Sequence, residues 1–337
     1  MLVLGLETSC DETAAAVLKN GDQLLSSIIN DQIKIHSKYG GVVPELAGRS
    51  HLDQVHRVIG QALESAHVKL KDIDLLAVTI GPGLIGSLLV GLNTAKGIAY
   101  SQGIPLVGVN HLEGHLLAIF LQNKVEFPFI SLVVSGGHTD LYRVETFGQY
   151  KLLGRTRDDA AGESFDKVAK MLGHKYPGGP VIEKMAQEGN PKAHKFPRAY
   201  LEKGSLDFSF SGLKTSVKTF IEKRKNNKAL VLSDNDIAAG FQEAVVQVLA
   251  DKIIMACEKE GLSRVVVTGG VAANGALRKA VSVICKVSGY EAWFPDPIFC
   301  TDNAAMIACA GYQRFKTSPD SQADLVNLDA KASLLLA

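Results

Sequence analysis

The sequence predicts an α/β protein of two similar lobes, each a mixed sheet flanked by helices, and three observations carry that prediction. A chain of 337 residues is too long for one small core and suits two domains of ordinary size. Its predicted elements run through the same order twice: three strands, a helix, a strand, a helix and a strand. Two strand-to-helix junctions also echo one another, Val78-Thr79-Ile80-Gly81-Pro82-Gly83-Leu84-Ile85-Gly86 and Val267-Thr268-Gly269-Gly270-Val271-Ala272-Ala273-Asn274-Gly275.

In the first half, Leu2 to Leu6 is a short apolar strand followed by the polar turn Glu7 to Thr13. Thr13 to Leu18 and Leu24 to Ile29 flank Asn20-Gly21, a dipeptide suited to the left-handed conformations of a two-residue hairpin. Glu45 to Ala66 carries apolar residues at helical spacing, with Gly40 to Pro44 as the loop before it. Asp74 to Ile80 reads as a buried strand, Leu84 to Ser101 as a buried helix and Pro105 to Val109 as a further strand. Leu75 to Ala95 carries no charge, but Gly81-Pro82-Gly83 cuts this run in two, which argues against a membrane span. A helix follows from His111.

The second half starts with the strand Phe129 to Val134, the turn Ser135-Gly136-Gly137-His138-Thr139, and strands at Asp140 to Val144 and Tyr150 to Gly154. Ala160 to Leu172 is predicted helical, and Ile237 to Glu260 again after a long insertion. Arg264 to Thr268 is a strand, Gly269 to Gly275 a glycine-rich turn, Gly275 to Val287 a helix, Glu291 to Phe294 a strand and Thr301 to Phe315 the closing helix. A duplicated unit of this order, facing itself across a cleft, is the actin-like ATPase and sugar-kinase (ASKHA) architecture, with ribonuclease H-like lobes. The expected lobes are 1–127 and 128–337, with a helical basic insertion at about 178–236 and a final helix packing back on the first lobe.

Composition narrows the class. Hydrophobic residues make up 46% and charged residues 21%, as in an ordered globular protein. A net charge of +1 gives no global attraction to nucleic acid, so RNA contact has to rest on a local patch. The insertion supplies a candidate, with Lys214, Lys218, Lys223 and Lys228 interleaved with Phe208, Phe210 and Phe220; a solvated helix face over a small satellite core fits the same residues. Five scattered cysteines without a Cys-x-x-Cys pair suit a reducing cytoplasm, and a strand starting at Leu2 leaves no room for a signal peptide.

Chemistry concentrates at Asn110-His111-Leu112-Glu113-Gly114-His115. A helix puts residues four apart on one face, so His111 and His115 present two imidazoles to one metal ion, or are surface or capping histidines. Asp302, brought from the opposite lobe across the cleft, is the candidate third ligand; a carboxylate at a helix start is also a common N-terminal cap. Two imidazoles and a carboxylate suit Fe(II) or Zn(II) and leave positions open for substrate. Ser135-Gly136-Gly137 and Gly178-Gly179-Pro180 are glycine turns able to close backbone N–H groups on a phosphate, or ordinary strand ends. Asp166 can accept ribose hydroxyls or be a solvated helix charge, and Asn274 can pair with an adenine edge or cap the next helix.

Glu7-Thr8-Ser9-Cys10-Asp11-Glu12-Thr13, Gly40-Gly41-Val42-Val43-Pro44-Glu45, Gly81-Pro82-Gly83-Leu84, Asn110 to His115, Val134 to Thr139, Phe208-Ser209-Phe210-Ser211-Gly212-Leu213-Lys214 and Thr301-Asp302-Asn303, in that order along nearly the whole chain, resemble the TsaD family in its bacterial form, the tRNA N6-adenosine threonylcarbamoyltransferases. The resemblance implies transfer of threonylcarbamoyl from threonylcarbamoyl-AMP to N6 of adenosine 37 in tRNAs reading ANN codons. It places the metal, Fe(2+) or else Zn(2+), on His111, His115 and Asp302. The adenylate falls on Val133, Val134, Ser135, Gly136, Gly137, Asp166, Gly179 and Asn274. The implied partners are a TsaB-like paralogue and a TsaE-like ATPase, with no membrane. Archaeal members carry a tyrosine ligand where this chain has Val133, which leaves the fourth coordination position open.

Asp11 and Glu12, on the first turn, are candidates to orient the adenine amine or take its proton. A metalloprotease reading fails on geometry, because Glu113 lies about 200° around a helix from His111. A phosphotransferase would use hydrated Mg(II) with carboxylates rather than paired imidazoles, and a noncatalytic scaffold has no use for the intact His111, His115 and Asp302 set.

Overall fold

A computed structural model describes residues 1–226, 232–318 and 325–336. Lys228 of the basic insertion lies outside the described residues. The chain divides into two compact units, one made of 1–126, 146–149 and 301–337, the other of 127–145 and 150–300.

The first unit holds β1 (Leu2–Glu7), β2 (Glu12–Lys19), β3 (Gln23–Asp31), α1 (Ile33–His36), α2 (Pro44–Ser65), β4 (Leu75–Gly81), α3 (Ile85–Gln102), β5 (Leu106–Asn110) and α4 (His111–Leu117). Its sheet runs β3-β2-β1-β4-β5, antiparallel from β1 to β3 and parallel from β1 to β5. The turn between β2 and β3 has Asn20 at φ 56° and Gly21 at φ 89°, the left-handed pair that Asn-Gly supplies with least strain. Alternation along the strands assigns the two faces of the sheet. Leu4, Leu6, Leu76 and Val78 join the core formed with Val55 and Val58 of α2 and Leu88 and Leu92 of α3. Each such buried aliphatic side chain contributes about 1.5–3 kcal/mol. The other face carries Gly5 and Ala77, against which the closing helix lies.

The second unit contains β6 (Phe129–Val134), β7 (Thr139–Thr146), β8 (Gln149–Arg155), α5 (Ala161–Met171), α6 (Gly178–Glu188), α7 (Ser211–Asn226), α8 (Asp234–Glu260), β9 (Arg264–Thr268), α9 (Gly275–Val287), β10 (Glu291–Trp293) and α10 (Pro297–Cys300), apart from the segment 146–149. Its sheet order, β10-β9-β6-β7-β8, repeats the first with β6 in the place of β1. The duplicated actin-like topology expected from the sequence is therefore present in both sheets. Ile130, Leu132, Val134, Val265 and Val267 bury one face against Phe165, Phe241 and Leu249 of the surrounding helices.

Two local expectations change. Gly178-Gly179-Pro180 is the first turn of α6 rather than a free glycine turn, because a proline near a helix start lacks only an N–H that would find no partner there. The closing helix α11 (Ala304–Thr317) starts three residues later than its hydrophobic pattern suggests, since Asn303 caps it by accepting a hydrogen bond from the Met306 N–H at 2.9 Å.

Candidate metal centre

The histidine pair is built by one cap. The Asn110 side chain ends β5 and opens α4 by accepting from the Leu112 N–H at 2.9 Å, so His111 occupies the first helical position and His115 follows one turn later. Their rings meet edge to face, 4.7 Å between centroids at 84°, and both are buried. Capping thus falls to Asn110, and the imidazoles turn inward rather than to solvent.

Asp302 does not come from the opposite unit as the sequence suggested. Residues from 301 onward belong to the first unit, because α11 buries Ala304, Ala305, Ala308 and Gly311 flat on its sheet: a Cβ on Gly5 would lie 2.3 Å from the Ala304 carbonyl oxygen. With Asn303 as the cap, Asp302 is released from that duty. Its Oδ1 lies 3.1 Å from His115 Nε2 and 3.6 Å from His111 Nε2, and the three ligand atoms fall within 4.8 Å of one another. His111, His115 and Asp302 thus form a largely buried cluster suited to one divalent metal ion.

The electrostatics of the cluster favour a cation. Burial alone lowers the basicity of His111, but the Asp302 and Glu7 carboxylates outweigh it and push its pKa up to about 9. Burial likewise raises the Glu7 carboxyl, and His111 reverses the shift to leave it below the usual range. Two imidazole Nε2 atoms converge on one carboxylate oxygen, a buried set of two nitrogen donors and one oxygen donor aimed at a single point. A metal ion fits it, and the fit is one of nitrogen and oxygen donors with no thiolate.

Glu7 has no role in the sequence reading. It ends an otherwise apolar strand, and its carboxylate sits 3.0 Å from His111 Nδ1 and fully buried. A charged residue closing an apolar strand next to a polar turn is the sequence signal that marks it. Of the neighbouring acids, Asp11 is buried and Glu12 half-buried at the start of β2. Burial, with the charges of Asp302 and Asp11, pushes the Glu12 carboxyl well above its usual range. Glu113 turns away from the cluster: it is fully buried and paired with Arg314 at 2.5 Å.

The remaining candidates all lie in the second unit. Val133 and Val134 end β6, and Ser135 accepts the Gly162 N–H of α5 through its carbonyl at 3.1 Å. Gly136 and Gly137 are exposed, with open space where a side chain would stand, as at Gly179. Asp166 accepts the Gly178 N–H at 2.6 Å, which ties α5 to the start of α6. Asn274 caps α9 by accepting the Leu277 N–H at 3.0 Å while donating to Gln242 at 2.8 Å, and Glu183 accepts the adjacent Gly275 N–H at 2.7 Å.

Comparison with known proteins agrees with this arrangement. The sequence profile of the TsaD family, described as tRNA N6-adenosine threonylcarbamoyltransferase, matches residues 23–309. A protein so described from Thermodesulfovibrio yellowstonii is 57% identical over 318 residues, 94% of this chain and 95% of the relative. One from Clostridium perfringens is 50% identical over 99% of this chain and 98% of the relative. Among solved structures, T. kodakarensis HypF aligns with a TM-score of 0.65 at 15% identity, covering 95% of this chain and 49% of that one. Component A of the Acidaminococcus fermentans (R)-2-hydroxyglutaryl-CoA dehydratase aligns with a TM-score of 0.55 at 18% identity, covering 93% and 98%. These two likenesses speak for the fold alone. Half or more of the residues shared with full-length relatives, together with the intact histidine and aspartate cluster, lead to one conclusion: the chain belongs to the TsaD family, enzymes that transfer threonylcarbamoyl to N6 of adenosine in tRNA and form t6A.

Proposed function

We propose that His111, His115 and Asp302 hold a single Fe(2+), with Zn(2+) as the alternative, and that the family's transfer takes place beside it. The observation that carries this reading is the convergence of the two imidazole Nε2 atoms on Asp302 Oδ1 in a largely buried cluster. When bound, a divalent ion supplies Lewis acidity for an acyl carbonyl. The reaction joins adenine N6 of adenosine 37 to the carbamoyl carbon of threonylcarbamoyl-AMP, breaks the bond from that carbon to the phosphate oxygen, and releases AMP. An exocyclic adenine amine is a weak nucleophile because its lone pair is delocalised into the ring, so activation of the donor dominates.

The chain's own residues then divide the work. Ser135, Gly136, Gly137 and Gly179 bind the adenylate phosphate through their backbone, and Val133 and Val134 complete the adenylate contacts. Open space over Gly136, Gly137 and Gly179 supports close approach of such a group. Asp166 takes the ribose hydroxyls and Asn274 the adenine edge, both already held in place by neighbouring hydrogen bonds. Asp11 and Glu12 orient the N6 amine and receive its proton. Substrate tRNA, a TsaB-like paralogue and a TsaE-like ATPase complete the system. The cytoplasm is its setting, a reading supported by five cysteines that are all free thiols; no helix among the described residues is long and apolar enough to cross a membrane.

The test is reconstitution. Purified protein supplied with threonylcarbamoyl-AMP, tRNA and its partner proteins is expected to form t6A, and His111→Ala to abolish the product. Full activity of a metal-free His111→Ala/His115→Ala protein would end the metal-assisted reading.

A further inference from the structure

We infer that Glu7 is the positioning residue of the metal centre: its carboxylate keeps the His111 proton on Nδ1, so that Nε2 is presented as the ligand toward His115 and Asp302. The inference rests on the reading of this cluster as a metal site and says how one ligand is set.

Strand alternation brings Glu7 there. Leu4 and Leu6 of β1 point into the core with α2 and α3, which leaves Gly5 and Glu7 on the face covered by α11. Thr79 of the neighbouring strand β4 shares that face. Glu7 is surrounded by donors: Oε1 accepts the Ser9 N–H at 2.5 Å, and Oε2 accepts the Thr79 hydroxyl at 2.7 Å and faces His111 Nδ1 at 3.0 Å. An ionised carboxylate can only accept, so the imidazole nitrogen facing it carries the hydrogen. The other nitrogen is then free to bind a metal, and a carboxylate behind a ligating histidine both orients the ring and raises its basicity. His115 has no such support among the described residues, where its buried Nδ1 finds no hydrogen-bond partner. Glu7 therefore holds His111 from its Nδ1 side, where among the described residues His115 has no partner.

The geometry also says how Glu7→Gln acts. A glutamine amide brings one NH₂ group into a site of donors. It cannot face Ser9, whose backbone N–H is fixed, so it takes the place of Oε2. There the Thr79 hydroxyl can turn to accept, but the His111 Nδ1 hydrogen loses its carboxylate acceptor and keeps only the Ser9 hydroxyl, 3.2 Å from Nδ1, so the tautomer with the hydrogen on Nε2, where it competes with the metal, gains population.

The experiment uses the full chain, metal-stripped and titrated with Zn(II) against a chromophoric chelator, with imidazole tautomers read by long-range proton–nitrogen correlation NMR. Wild-type protein loaded with Zn(II) is expected to show His111 protonated on Nδ1 and bound through Nε2. Glu7→Gln is expected to bind Zn(II) about 10- to 100-fold more weakly. Zinc bound through His111 Nδ1, or a folded Glu7→Gln protein with wild-type Zn(II) affinity, overturns the inference while the metal site stands. Failure of wild-type protein to bind Zn(II), Fe(II) or Co(II) overturns both. If Glu7→Gln does not fold, the wild-type tautomer decides alone.

Discussion

Gly5→Ala tests whether the metal centre depends on how closely the closing helix lies on the first sheet. A methyl group at Gly5 would stand 2.3 Å from the Ala304 carbonyl oxygen, 2.8 Å from the Ala308 nitrogen and 2.9 Å from the Ala308 Cβ, all on α11 and mostly backbone. Ordinary contact begins near 3.4 Å, so the first turn of α11 has to retreat by about 1 Å. Overpacking of this kind costs about 1–3 kcal/mol, which for a domain of this size lowers Tm by roughly 2–4 °C for each kcal/mol. Asp302 stands two residues ahead of the displaced turn, and metal–ligand distances tolerate only about 0.2 Å. The metal affinity of Gly5→Ala is therefore expected to fall about tenfold or more, the scale of loss when ligand positioning is disturbed. Thermal unfolding with and without chelator, alongside a Zn(II) competition titration, reads both effects. Gly60→Ala is the control: it lies mid-helix in α2 with open space around it and is expected to gain about 0.5–1 kcal/mol. A Gly5→Ala protein with wild-type Tm and Zn(II) affinity would show that Asp302 is not held by this contact, and the packing argument would fail.

Stripping the metal is expected to lower Tm, and restoring it at about 100 times Kd to return roughly 2.7 kcal/mol, as calorimetry with added Zn(II) can measure. Arg314→Met removes the guanidinium from the fully buried Glu113 carboxylate. It should cost about 3 kcal/mol, the low end for a broken buried pair because Arg314 is partly exposed. A Glu113→Gln/Arg314→Met double mutant should recover most of that loss in urea unfolding, and a double mutant no better than Arg314→Met would count against the pair. Burial raises the Asp140 carboxyl to about 6, against opposing contributions from Tyr142 and Arg155. The folded state therefore binds more protons than the unfolded chain between the ordinary value of 3.8 and about 6, so stability falls as pH rises through that window. Asp140→Asn should flatten this slope and stabilise the protein at neutral pH by up to about 3 kcal/mol, visible as a Tm difference between pH 4 and pH 7.

Local pattern was enough for the strands, their duplicated order and the histidine pair. Each depends on a short stretch: the unbroken apolar run Leu2 to Leu6, Asn-Gly at 20–21, four residues from His111 to His115. Composition at a junction could not say which of Asp302 and Asn303 caps α11, because both residue types cap helices well. The choice follows from where the Met306 N–H points. Chain order placed Asp302 in the opposite lobe, although the helix it precedes was expected to pack back on the first; the alanines of α11 match the small residues Gly5 and Ala77, and Asp302 goes with that helix to the first sheet. Glu7 shows the same division. Its strand position was legible, but its role arises from Thr79, Ser9 and His111, which lie up to 104 residues away and meet it only once the sheet has formed. Local patterning sets most of the elements and makes the ligands available. Tertiary packing decided which of those ligands meet, because burying the apolar faces of β1, β4 and α11 carries the polar ends of all three to one place.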